Sequence, residues 1–291
     1  MAVCMAVLCT ILSNLRYQKK IAMTGVSFKG RLGNQLFQFC FLRYLKSNNG
    51  LGFYFFPNPH HAYLTKYFDL GFYYNLTLGS KLYSGVMRVL PRLFGCKDVF
   101  FYNFSAPRAV KAKKRTIYNG YFQSDWYLQN TADPLPIKIR KQYTDLFNKE
   151  FGTIFNNGKT IAVHIRLTDY KNFFKRDLSL PITYFKRELE KISDLDSYTV
   201  FFVSDDIEFV KTAFPARPNF IFSSNNEITD FQIIHNADIA IISNSTFAWW
   251  ACYLSARNKQ VIAPKYWLGF HSGVEFPKGI MTSKFTWADV L

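Results

Sequence analysis

The sequence predicts an α/β protein built on parallel, doubly wound sheet. Three observations lead there. Short apolar runs alternate with segments of helical periodicity through the second half of the chain. Those runs are unmixed rather than alternating with polar residues, as in strands covered on both faces. The first half opens on a β-like run, followed at once by a glycine-bearing turn and a helix, the unit from which such sheets are wound.

Ile21 to Phe28 is the first strand and Asn34 to Lys46 the helix after it. Between them stands Gly30-Arg31-Leu32-Gly33-Asn34-Gln35. Two glycines around an arginine let the backbone turn tightly and approach a ligand, and first-turn N–H groups near Asn34 and Gln35 favour an anion. Gly50 to Phe56 is a second strand. Pro57 to Val110 is aromatic-rich, with turns at Pro57, Pro59 and Gly71. Such rings either stack on sugar faces or fill core, and core is their commoner use. Thr116 to Phe122 is a strand followed by Gln123-Ser124-Asp125. Asp133-Pro134-Leu135-Pro136 interrupts the pattern, Lys138 to Phe151 is helical, and Asn156-Asn157-Gly158 turns the chain. The domain division expected is therefore an extension over 1–20, an α/β domain over 21–155 and a second over 156–291.

The second half reads Thr160–Ile165 as strand and Ile182–Ile192 as helix, entered through Pro181. Tyr198–Val203 is strand, Ile207–Phe214 helix, Phe220–Phe222 strand and Ile228–Asn236 helix. Asp238–Ser243 is strand, Thr246–Ser255 helix and Gln260–Ala263 strand. Ligands of such sheets bind beyond the carboxyl ends of the strands. His164, Ser204 and Ser243 occupy those ends and are expected to converge.

With 291 residues, 49% hydrophobic and 19% aromatic, the chain has the means for two cores and is not disordered. The formal charge of +16 suits nucleic acid, an anionic membrane surface or a phosphate-bearing ligand. Basic residues are dispersed except in Lys111-Ala112-Lys113-Lys114-Arg115, which reads as a solvated loop. With neither clustered basic stripes nor RNA-type aromatic motifs, nucleic acid is not an expected partner. Five cysteines without a CxxC pair argue against a zinc or redox site and fit a reducing compartment. Three short sequons, at Asn75, Asn103 and Asn244, carry little weight. Met1 to Leu15 is uncharged and precedes the basic Arg16 to Lys20. That apolar part falls short of the roughly 20 residues a span requires, and a secretory signal carries its positive charge first. The expectation is a cytoplasmic protein, with a short anchor or a surface-lying segment as the alternative.

Candidate chemistry centres on Arg166. An arginine at the end of a buried strand faces a ligand, as a clamp on a diphosphate, or pairs with Asp169 or Asp205. Ser243 to Trp250 has the strand–turn–helix form in which hydroxyls and first-turn amides hold phosphate, although Ser245 equally suits an N-cap. Trp249 and Trp250 read as packing. Ser204-Asp205-Asp206 either meets a sugar hydroxyl or caps the next helix. Asp194-Leu195-Asp196 has a metal-binding spacing but sits in a polar turn, so no metal is expected. The Gly30 turn, His164-Ile165-Arg166 and the Ser243 segment together suggest a nucleotide-sugar enzyme.

Further segments carry a resemblance. They are Gly120-Tyr121-Phe122-Gln123-Ser124, Asp169-Tyr170, Leu180-Pro181, Tyr184-Phe185, Ser204-Asp205-Asp206-Ile207, Asn244-Ser245-Thr246-Phe247-Ala248-Trp249-Trp250 and Val261-Ile262-Ala263-Pro264. With the Gly30 and His164 motifs, in this order from about 21 to 270, the chain resembles the α-1,2-fucosyltransferases of glycosyltransferase family 11. It departs from them at Leu167 and Thr168, where a second arginine and a glycine are common, and at Phe209, where a tryptophan is. The resemblance implies a GT-B-like fold of two Rossmann-like lobes with a cleft between them. It implies GDP-β-L-fucose as donor with no cofactor, and a galactoside acceptor; the positive charge, separately, suits a lipid-linked glycan or membrane surface. Donor contacts fall to Gly30, Arg31, Gly33, His164, Asp205, Asp238, Ser245, Thr246 and Phe247, with Asp238 on guanine or ribose. Arg166 stabilises the leaving diphosphate, Asn34 orients a substrate and Asp125 is the candidate base.

Overall fold

A computed structural model describes residues 23–49, 53–55, 63–70, 85–86, 89, 91, 93–132, 137–171, 175–257 and 260–291. The chain divides into two compact units, residues 1–138 and 139–291. The N-terminal extension and the Asp133–Pro136 interruption lie outside the described residues.

The first unit holds a four-stranded parallel sheet. Its strands are β1 (Met23–Ser27), β2 (Phe53–Phe55), β3 (Lys97–Phe100) and β4 (Thr116–Asn119), in the order β2-β1-β4-β3. All of β1 is buried. Helix α1 (Leu32–Asn49) begins two residues before the expected Asn34 and ends with Lys46 in its last turn, where the helix dipole favours a cation. Short helices follow at α2 (Tyr63–Tyr67) and α3 (Trp126–Gln129). Phe41 of α1 stacks on Phe122 with centroids 3.7 Å apart and meets Tyr118 and Tyr127 edge-on. These rings are core, and half-buried Phe101 packs on Phe41, while Tyr102 and Phe104 stay exposed. Strand β3 was not legible because it is an edge strand of mostly exposed residues, held by backbone pairing to β4. Strand β4 stops at Asn119, short of Phe122, whose positive φ of 53° turns the chain away. The Lys111–Arg115 run is largely exposed, as a solvated loop should be.

The second unit holds six parallel strands: β5 (Lys159–Ile165), β6 (Tyr198–Ser204), β7 (Phe220–Phe222), β8 (Ile239–Ile242), β9 (Gln260–Pro264) and β10 (Thr286–Ala288). Their order is β10-β9-β8-β5-β6-β7, so the winding reverses between β5 and β8. Helices α4 (Lys141–Asn157), α5 (Ile182–Glu190), α6 (Ile207–Ala213), α7 (Glu227–Asn236) and α8 (Thr246–Tyr253) surround it. On one face Ile161, Val163, Val200, Phe202, Ile239, Ile241 and Ile262 form a core with Tyr184, Phe185 and Leu189 of α5. On the other, Phe155 of α4 stacks on Phe201 at 5.1 Å. That contact, with Gln232 Nε2 donating to the Tyr143 carbonyl, ties α4 to the second unit. The division accordingly falls at 138/139, whereas the sequence pattern put it at 155/156.

Trp249 and Trp250 are fully buried, in keeping with packing. The Asn244 sequon is buried as well. Among the described residues no helix is long and apolar enough to cross a membrane.

Candidate active site

In the second unit, the sheet reversal leaves the carboxyl ends of β5 and β8 side by side. Crevices at such points are where doubly wound sheets take ligands. Parallel pairing sets His164 beside Ile242 and beside Val203 of β6, so the residues that follow these strands emerge at one sheet end. The Ser243 hydroxyl stitches two of them, donating to the His164 carbonyl at 3.0 Å and accepting the Arg166 amide at 2.8 Å. Tyr170 donates its hydroxyl to the Asn244 carbonyl at 3.0 Å, closing the loop after β5 onto the turn after β8.

Arg166 keeps 16% of its side-chain surface exposed. Both expected ion-pair partners are engaged: Nε donates to Asp169 Oδ1 at 2.7 Å and lies 3.3 Å from Asp205 Oδ2. Neither Nη group donates a hydrogen bond to a described residue. The pairing and the clamp are thus compatible, because a guanidinium anchored by Nε still presents the two-pronged edge that fits a phosphate.

His164 is buried, and its Nδ1 has no hydrogen-bond partner. Burial first, and the Arg166 charge second, push its pKa down to about 3 against a smaller opposing pull from Asp205. The imidazole is therefore neutral at physiological pH. Its ring lies 6.0 Å from that of Phe247, which meets Phe231 edge-on. Asn244 is also buried, donating Nδ2 to the Leu178 carbonyl while its Oδ1 has no partner. A buried polar atom left unpaired costs about 1–3 kcal/mol, and such atoms are retained mainly where a ligand or function requires them. Ser245 stands at the N-cap of α8 without a side-chain capping bond, so its hydroxyl is not spent on the helix. Thr246 and Phe247 follow in the first turn, half-buried.

Asp205 lies at the same sheet end, but its carboxylate is turned to the protein. Oδ1 accepts the Leu167 amide at 2.8 Å, and Oδ2 accepts the Thr168 amide at 3.0 Å and the Thr168 hydroxyl. Burial alone raises its pKa, but these bonds and the Arg166 charge outweigh it and hold the carboxyl below its usual value. Asp206 caps α6 by accepting the Phe209 amide. At Leu167 the chain buries a leucine in the core.

Asp238 is not brought to this place. It precedes β8 and so sits at the opposite, amino end of the sheet. There it accepts the Thr160 amide at 2.8 Å and hydroxyl at 2.9 Å, and pairs with Arg257 at 3.0 Å. The Asp194–Asp196 pair likewise precedes β6, with Asp196 facing Arg217 at 3.7 Å. No group of three or more metal-ligating side chains occurs among the described residues. A cavity of about 650 Å³ also opens at this amino end, lined by Arg187, Glu188, Lys191, Tyr198 and Gln260 among others. Its charges satisfy one another, since Glu188 binds both Arg187 and Lys191, and the reversal crevice is the stronger candidate site.

The first unit has its own reversal, between β1 and β4. Gln38 bridges the loops there, accepting the Lys29 amide at 2.9 Å and donating to the Gly120 carbonyl at 3.1 Å. Gly30 has φ +76°, and a Cβ added to it would lie 2.6 Å from Asn34 Nδ2, so this position requires glycine. Gln123 Nε2 donates to Asn34 Oδ1 at 2.8 Å and Gln35 Nε2 to the Gly30 carbonyl at 3.1 Å. Gly33 is buried within α1, while Arg31 is exposed ahead of it. Asp125, 8% exposed, accepts Gln129 Nε2 at 2.7 Å.

Residues 2–273 match the sequence model described as Glycosyl transferase family 11. Among curated proteins, the chain is 28% identical over 181 residues to "O-antigen biosynthesis glycosyltransferase WbnK" of Escherichia coli, covering 57% of this chain and 60% of that protein. It is 28% identical over 169 residues to "Alpha-1,2-colitosyltransferase" of Escherichia coli, covering 51% and 54%. The chain thus spans little more than half the length of these relatives. A solved structure of NodZ α-1,6-fucosyltransferase with GDP superposes at a TM-score of 0.49 and 12% identity, over 81% of this chain and 93% of that one.

Proposed function

The chain belongs to glycosyl transferase family 11, and on that premise we propose that it is an inverting α-1,2-fucosyltransferase. It moves L-fucose from GDP-β-L-fucose to the 2-hydroxyl of a galactose-containing glycan. One observation carries the reading: Arg166 stands at the reversal of the second sheet with Nε anchored and its Nη edge uncommitted among the described residues.

The chemistry follows from charge. The acceptor oxygen bonds the anomeric carbon as the bond to the diphosphate breaks, and the electron pair leaves with GDP. Positive charge grows on the sugar ring and negative charge on the departing diphosphate. Arg166, with the first-turn amides of α8 and the Ser245 hydroxyl, meets that negative charge more strongly in the transition state than before it. The cationic role thus falls to a side chain rather than to a metal. Neutral His164 and Phe247 line the donor side, and Thr246 lies with them. In the first unit Gly30, Arg31 and Gly33 shape a turn suited to the donor, and Asn34, held by Gln123, orients a substrate. Asp125 remains the candidate base for the hydroxyl proton, although its carboxylate already holds Gln129.

The +16 charge supports an acceptor presented on an anionic surface, such as a lipid-linked glycan. Leu167 and Thr168 favour a second reading, in which the chain binds nucleotide or glycan without turnover, and transfer to another acceptor is the remaining alternative. Incubation of the full chain with GDP-fucose and a panel of galactosides, without added metal, separates these. A fucosylated galactoside supports the first reading. GDP release without that product points to another acceptor or to donor hydrolysis, and neither signal points to a binding protein.

A further inference from the structure

We propose that Asp205 is a positioning residue, which fixes the 166–168 loop and thereby aims the Nη edge of Arg166 at the donor's β-phosphate, rather than touching the donor's sugar itself. The inference rests on the diphosphate role of Arg166 given above. Asp205 directly follows β6, yet it holds three consecutive residues after β5. Oδ1 takes the Leu167 amide at 2.8 Å, and Oδ2 takes the Thr168 amide at 3.0 Å and its hydroxyl, and stands 3.3 Å from Arg166 Nε. Ser243, after β8, takes the Arg166 amide at 2.8 Å. Residues from two neighbouring strands therefore grip one loop.

A guanidinium is a rigid plane, so fixing Nε and the backbone behind it fixes the direction of both Nη groups. Asp169 Oδ1 at 2.7 Å supplies the second carboxylate on Nε. Both carboxylate oxygens already accept from the loop, and drawing Asp205 toward a ribose would lengthen its bonds to two loop amides, that of buried Leu167 among them. Its side chain is only 16% exposed, which fits a group facing the protein.

The test compares GDP and GMP, which differ by the β-phosphate alone, as ligands of the full chain by calorimetry. Wild type is expected to bind GDP more tightly than GMP, and Arg166→Ala to lose that preference. Asp205→Asn is expected to cut the GDP-to-GMP ratio about tenfold while leaving GMP affinity within about threefold. Thr168→Val removes only the hydroxyl bond, which keeps the test readable if Asp205→Asn fails to fold, and should cut the ratio about threefold. A ratio unchanged while both affinities drop means that Asp205 contacts the nucleoside and overturns the proposal, as does no change in either variant. A wild type without any preference for GDP overturns the diphosphate role of Arg166 itself, and the proposal with it.

Discussion

The two ends of the second sheet carry the same pair of residue types and put them to opposite uses. At the amino end Asp238 meets Arg257, whose Nη1 donates to the carboxylate while Nη2 donates to the Phe155 carbonyl. Thr160 saturates the other carboxylate oxygen. That arrangement is closed and fastens α4 and the region after α8 to the sheet. At the carboxyl end Arg166 meets Asp169 and Asp205 through Nε alone, and two buried polar atoms nearby, His164 Nδ1 and Asn244 Oδ1, have no partner. An arginine–aspartate pair is a fastening when the guanidinium's edge is spent and a binding element when it is not.

Substituting the two arginines should separate these uses. Arg166→Ala should lower kcat/KM for fucosyl transfer by about 10³-fold or more, roughly 4 kcal/mol, with the fold retained. Arg257→Ala should leave turnover within about threefold and cost about 1 kcal/mol of stability, since its ion pair is partly exposed. Equal losses of activity in both would break the contrast.

His164 sharpens it through pH. Its pKa is about 3 when folded and about 6.5 when unfolded. Above pH 6.5 both states are neutral and the group contributes no slope. Below it only the unfolded chain takes the proton, so stability falls by about 1.4 kcal/mol per pH unit toward pH 3. Denaturant titrations from pH 7 to pH 5 should show this loss, and His164→Gln should flatten it. An unchanged slope in that variant would mean that the imidazole is not held neutral.

Gly30 tests the first unit's reversal. Gly30→Ala places a Cβ at positive φ against Asn34 and should cost about 1–3 kcal/mol and raise the KM for GDP-fucose. Smallest is the pair of caps. Asn226 accepts the Ile228 and Thr229 amides, so Asn226→Ala should cost about 1 kcal/mol of stability. Ser245→Ala loses no cap and should instead weaken GDP binding a few-fold. Matching stability losses in the two would mean that Ser245 is structural.

Much of this was legible because buried parallel strands write themselves as apolar runs. Strands β5, β6 and β8 fall within a residue or so of where their runs lie, and the residues after them converge as strand direction requires. Strand direction also carried the signal that sets Asp238 apart, since a residue preceding a parallel strand belongs to the amino end. The edge strands β3 and β10 carry too few buried residues to show a pattern. Helix α4 changed domain because its stripe of Phe147, Phe151 and Phe155 needs Phe201, a partner no local pattern reveals. The task of Asp205 was hidden for a similar reason: its partners are backbone amides far away in sequence, and an amide has no letter of its own.

The account's central claim is that Arg166 holds the β-phosphate, and phosphorus NMR reads this without turnover. Titrating GDP with the wild-type chain and with Arg257→Ala should shift the β-phosphorus resonance, while Arg166→Ala should leave it near its free position. A β-phosphorus shift of full size in Arg166→Ala would contradict the claim.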